Sequence, residues 1–107
     1  MDAILAIDAG TTGLTALVVD ATATIIARGY REFPQHFPAD GWVEHDLGEM
    51  WSATLGAAGD ALAATDAKIR AVGITNQRET VCFWDRETMG APRRASVAER
   101  SGCAGWV

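Results

Sequence analysis

The chain is poor in the residues that would announce a metal or redox protein. Its two cysteines, Cys82 and Cys103, form no CxxC pair and have no neighbouring histidine, so neither zinc nor a redox dithiol is indicated, and the thiols read as buried or spare. The two histidines, His36 and His45, lie in a loop-like stretch at a spacing that no helix brings together, which favours ordinary loop roles over metal ligation. Positive charge is also scarce. Nine Lys and Arg stand against fourteen Asp and Glu, a net charge of -5, and no Lys/Arg block offers a basic face for nucleic acid. Long apolar runs are missing too: the first one, Ala3 to Ile7, has no basic residue before it and stops at Asp8, too short for a signal peptide or a membrane span. A cytoplasmic location is expected. The 107 residues allow one domain with a modest core, and neither repeats nor low-complexity stretches appear up to Gly90.

What is present is a sequence of short apolar runs divided by turn signals. Residues 3–7 and 14–19 predict two strands of a hairpin, with Gly10-Thr11-Thr12-Gly13 between them. Asp20-Ala21-Thr22-Ala23 predicts a second turn and residues 24–32, rich in Ile25, Ile26 and Tyr30, a third antiparallel strand. Residues 33–45 hold Pro34, Pro38 and the Asp40-Gly41 turn signal, a long ordered connection with Phe37 and Trp42 available to pin it down. Asp46 then caps a helix to about Ala64, with Glu49 answering in a capping box and Leu47, Met50, Trp51, Thr54, Leu55, Ala58 and Leu62 on one face. Gly56 and Gly59 each weaken that helix by roughly 1 kcal/mol relative to alanine. Strands over 69–75 and 80–85 complete an α/β chain of β-β-β-α-β-β order. After Gly90 the composition changes and no period of either kind is visible, which divides the chain into residues 1–92 and a divergent tail, 93–107, open to a frameshift or to disorder.

Two segments carry chemistry. A strand ending at Asp8 and turning through Gly10, Thr11, Thr12 and Gly13 offers closely spaced backbone N–H groups and two hydroxyls, and its glycines let a phosphate approach the backbone. Asp8 is placed to hold a hydrated Mg2+ ion near such phosphates. Taken alone, the segment is equally a plain β-hairpin with no ligand. In the second segment Arg78 supplies a planar set of donors and Glu79 a pair of acceptors, fit to hold adjacent hydroxyls of a small polyol. Taken alone, that dipeptide reads first as a surface ion pair.

Together, Ile7-Asp8-Ala9-Gly10-Thr11-Thr12, Arg31-Glu32-Phe33-Pro34-Gln35-His36-Phe37-Pro38, Gly41-Trp42-Val43-Glu44-His45-Asp46 and Gly73-Ile74-Thr75-Asn76-Gln77-Arg78-Glu79-Thr80 make the chain, from about Ile4 to Pro92, resemble the N-terminal part of the FGGY family of carbohydrate kinases, in its glycerol-phosphorylating branch. The last of these segments is the most specific, since sugar kinases of the family look different there. The resemblance implies an actin-like, ribonuclease-H-like ATPase fold, here incomplete. It implies ATP phosphates on Gly10, Thr11, Thr12 and Gly13, Mg2+ near Asp8, and glycerol on Arg78 and Glu79. The reaction implied is transfer of the γ-phosphoryl group of ATP to glycerol, giving sn-glycerol 3-phosphate and ADP, by positioning and charge neutralisation. Full-length members are expected to be homo-oligomers.

Several positions depart from the family pattern. Many members have Gln at the position of Ala9, Ser at Gly13 and Arg at Thr15, so one hydroxyl and one positive charge near the phosphates are lost. Ala98 stands where a tryptophan lining the glycerol pocket is expected, and the general base, a glycerol-site tyrosine and the adenine-binding lobe are expected outside this chain, so no catalytic residue is assigned within it. The expectation is a truncated or frameshifted member, prone to aggregate at an unpaired sheet edge and with little activity alone. A non-catalytic nucleotide- or protein-binding remnant, or a kinase for another polyol or sugar, are the alternatives.

Overall fold

A computed structural model describes residues 1–77 and 80–97. The hairpin comes first: β1 (Asp2–Ala9) pairs antiparallel with β2 (Gly13–Asp20), and β2 with β3 (Ile25–Glu32). A three-residue strand, β4 (Val43–His45), precedes the helix α1 (Leu47–Ala63). β5 (Lys68–Asn76) then returns parallel to β1, so that the main sheet has the order β3-β2-β1-β5. A second sheet, β4-β7-β6, is made of short pieces, with β6 at Thr80–Val81 and β7 at Ala95–Val97.

The period-2 alternation of β1 and β2 decides which face is dry. Ala3 and Leu5 of β1 and Leu14, Ala16 and Val18 of β2 point toward α1 and are buried, while Ile4 between them is not. The side of α1 that meets this face is a stripe of small residues, Ala53, Ala57 and Ala61, four apart. Gly29 on β3 explains the choice, because a Cβ there would collide with the carbonyl of Ala57. Helix and sheet approach until backbone meets backbone, and larger side chains have no room between them.

The expected helix face therefore needs correction. Met50 and Ala58 pack partly against the core, but Trp51, Leu55 and Leu62 are exposed on the far side. The large residues mislead because close approach selects alanine. The span itself is as expected, 47–63 with Asp46 as N-cap, its Oδ1 accepting from the Glu49 amide at 3.0 Å. Only half of the capping box forms, because the Glu49 carboxylate turns instead to His36 Nε2, 2.7 Å away.

Elsewhere the expected strand over 80–85 shrinks to Thr80–Val81, and β4 and β7 are strands that no pattern in the sequence announces. Three-residue strands are too short to display a period. Phe37 does not pin the 33–45 connection, being 70% exposed; Phe33, 4% exposed, does so, its ring edge-on to His45 at 4.8 Å. Cys82 is a free, exposed thiol, and Cys103 lies outside the described residues.

Two helical and strand glycines have opposite consequences. Gly59 has nothing within 4 Å of a Cβ, so Gly59→Ala is expected to raise the unfolding free energy in urea by about 1 kcal/mol. Gly29→Ala is expected to lower it by roughly 3 kcal/mol, since backbone must move to admit the methyl.

Candidate functional site: the strand ends of β1 and β5

β1 and β5 run parallel as neighbours, so their C-terminal ends emerge side by side, with Ala9 paired to Asn76. The first chemistry-bearing segment follows one strand and the second follows the other. In the turn after β1, the Gly10 amide donates to the Gly13 carbonyl at 3.1 Å and the Phe33 amide to Thr12 O at 3.4 Å. Thr11 and Thr12 are exposed, and no hydrogen bond among the described residues engages their hydroxyls. Asp8 is exposed and lies on the sheet face away from α1, flanked by its register partners Thr15 and Thr75. The structure thus brings Asp8, Gly10, Thr11, Thr12 and Gly13 together. Arg78, Glu79 and Ala98 lie outside the described residues.

Gly13 is buried and locked in place. A Cβ there would come within 2.7 Å of both the Arg31 carbonyl and the Tyr30 hydroxyl. The Tyr30 phenol and the Arg31 carbonyl therefore occupy the space that any side chain at position 13 would need. Arg31 crosses Gly56 to reach Asp60 as a fork, Nε to Oδ2 at 2.9 Å and a second nitrogen to Oδ1 at 3.0 Å. That bridge ties the end of β3 to the helix.

Behind the turn lies a polar cluster that sequence reasoning missed. His45 is fully buried; Nε2 is 2.7 Å from Gln35 Oε1 and Nδ1 is 3.3 Å from Gln77 Nε2. Gln77 also donates to the Gly10 carbonyl at 3.3 Å and accepts from the Thr80 hydroxyl at 2.9 Å. Burial lowers the His45 pKa from its usual value, nearby His36 lowers it further, and a backbone hydrogen bond that Thr11 accepts from the ring opposes both. The only signal for these residues was their place inside the matched segments.

The donor set fits a magnesium ion brought in with phosphates. Mg2+ is held by one or two carboxylates, phosphate oxygens and its own waters, and Asp8 offers an exposed carboxylate just before the turn. Among the described residues no group of three or more His, Cys, Asp or Glu could cage a metal.

A hairpin with a tight Gly-Thr-Thr-Gly turn, backed by a helix and extended by a parallel strand, is the opening unit of the actin-like ATPase fold. The glycerol kinase of Plasmodium falciparum, solved with ADP, superposes with a TM-score of 0.85 at 31% identity, over 91% of this chain and 20% of that one. A xylulose kinase from Lactobacillus acidophilus has the same fold, with a TM-score of 0.82 at 19% identity over 89% of this chain and 19% of that one. The chain belongs to the FGGY family of carbohydrate kinases, whose N-terminal domain matches residues 3–107. It is similar to the glycerol kinases of Rhodospirillum centenum, 54% identical over 79% of this chain and 18% of the relative, and Agrobacterium fabrum, 54% identical over 88% and 19%. The chain spans about a fifth of the length of the curated relatives it matches.

Gly13→Ser is expected to destabilise the chain by about 1–3 kcal/mol in urea unfolding, because the Arg31 carbonyl cannot yield as a side chain could. The His45 shift predicts a pH dependence. With the folded pKa below the unfolded value near 6.5, the unfolded chain binds the extra proton between those two values. Stability is expected to be full above about pH 7 and to fall as pH drops through 6.5, with a slope of at most about 1.4 kcal/mol per unit. Urea unfolding from pH 7.5 to 5.5 measures it, and His45→Asn flattens the curve over that window.

Proposed function

We propose that this chain is the N-terminal part of an ATP-dependent glycerol kinase, acting in the cytoplasm on glycerol and ATP. The observation that carries the reading is the parallel pairing of β1 with β5. It brings the Gly-Thr-Thr-Gly turn and Gln77, which Arg78 and Glu79 follow in the sequence, to the same end of one sheet, the carboxyl end at which open α/β sheets bind their ligands. The identity to glycerol kinases supports glycerol as the acceptor.

In this reading the turn amides and the Thr11 and Thr12 hydroxyls hold the polyphosphate of ATP, and Gly10 keeps the backbone bare enough for oxygen atoms to approach it. Asp8 would hold Mg2+, which when bound neutralises charge on the phosphate oxygens. Arg78 and Glu79 hold the hydroxyls of glycerol as donor and acceptor. The terminal hydroxyl oxygen forms the new bond to the γ-phosphorus as the bond to the departing ADP oxygen breaks, and positioning supplies most of the acceleration. The proton of that hydroxyl goes to a base that the family resemblance assigns outside this chain.

The test is ATP-dependent formation of sn-glycerol 3-phosphate by the purified 107-residue chain, with Arg78→Ala as background, alongside titration with Mg·ADP. Nucleotide binding with turnover at least 10-fold above the variant supports the full reading. Binding without turnover leaves a nucleotide-binding fragment of a kinase, and absence of both overturns the proposal.

A further inference from the structure

The side-chain partners of His45 have a donor and acceptor pattern that resolves in one way for the neutral ring, while the backbone contact with Thr11 favours the protonated ring. The Gln77 carboxamide nitrogen can only donate, and its two hydrogens have two acceptors within reach, the Gly10 carbonyl and His45 Nδ1, both at 3.3 Å. Its oxygen accepts from the Thr80 hydroxyl at 2.9 Å. His45 Nδ1 is therefore unprotonated, so the neutral ring carries its hydrogen on Nε2 and donates it to Gln35 Oε1 at 2.7 Å. Gln35 passes the chain on to the Phe33 carbonyl at 3.4 Å. Turning the Gln77 amide over would set its oxygen against the Gly10 carbonyl, two acceptors facing each other. No buried side-chain polar atom among the described residues is left without a partner in the arrangement as it stands.

This cluster also aims a backbone group. In a planar trans peptide the carbonyl and the following N–H point in opposite directions. By holding the Gly10 carbonyl toward itself, Gln77 turns the Thr11 N–H away from the protein interior. Glycine at position 10 makes that restraint necessary, because its backbone could otherwise adopt the reversed orientation at little cost. Gln77 immediately precedes Arg78, so the side chain that orients the turn belongs to the segment that follows β5.

We propose that Gln77 and His45 are positioning residues: they lock the turn at residues 10–13 to the end of β5 at Gln77, so that a phosphate chain on the turn keeps one register with that strand end. The lock deepens the kinase reading and rests on it for its use, though the restraint on the Thr11 amide stands by itself.

NMR of the 15N-labelled 107-residue chain, with Mg·ADP as the probe, separates the two. The wild-type imidazole at pH 7.5 is expected as the Nε2–H tautomer, a measurement that needs no variant. Gln77→Glu keeps the acceptor for Thr80 but replaces the donor with a carboxylate, and is expected to draw a proton onto His45 Nδ1, a signature that loss of packing alone does not give. Gln77→Leu is expected to move the Thr11 amide resonance and to weaken Mg·ADP binding about 3- to 10-fold, the scale of one lost hydrogen bond. An Nδ1–H tautomer in the wild type, a His45 ring unchanged in Gln77→Glu, or equal Mg·ADP affinity in Gln77→Leu overturns the lock. If Mg·ADP leaves the amides of residues 10–13 unmoved in the wild type, the nucleotide reading falls. The lock is then decided by the ring tautomer and the Thr11 resonance alone.

Discussion

The close approach of α1 to β2 and β3 is the contact from which the rest of the molecule takes its positions. It depends on Gly29, where even one methyl group would strike the helix backbone, and on alanine at 53, 57 and 61. Burial of such small side chains gives little per residue, but the approach brings two backbones into dense contact over several turns. It also sets the helix over one side of the sheet. β5, at the edge of the sheet, is covered only in part: Ile69 packs against the core, while Val72 and Ile74 are exposed.

The helix position in turn fixes the 33–45 connection. Asp46 at the helix start and His36 bound to Glu49 one turn later anchor the connection to the helix, while Phe33 and His45 meet edge-on at its two ends. His36 and Glu44 exchange backbone hydrogen bonds at 3.0 and 2.8 Å, and the chain reverses near Gly41, whose φ of 76° suits glycine. This delivers β4 to a second small sheet and leaves the His45 ring behind the turn that follows β1. The path from helix packing to the candidate site is therefore continuous: Gly29 and the alanines set α1, α1 sets the connection, and the connection sets His45 against Gln77 and Gly10.

Much of this was legible in the sequence. The first three strands, the helix span and the return strand were readable because each is long enough to show a period and is bounded by turn or cap residues. The Gly-Thr-Thr-Gly turn was legible for the same reason, lying between two clear strands. The helix face was not, since a hydrophobicity pattern favours Trp51 and Leu55 over alanines whose value lies in being small. β4 and β7 were invisible because three residues carry no period, and they form only through partners distant in the chain.

The sequence by itself determined the order of elements and the types of groups available for chemistry: Asp8, the turn of glycines and threonines, and the Arg78-Glu79 pair, all of them local in the chain. Which groups meet was decided only by the tertiary structure. Parallel pairing of β1 with β5 joins segments more than sixty residues apart, and the Gln77 hydrogen bond to Gly10 spans 67 positions. The partners of His45 follow from that same closure, because a buried ring nitrogen must find its donor or acceptor among whatever the fold brings to it, and nothing in the local sequence names that neighbour.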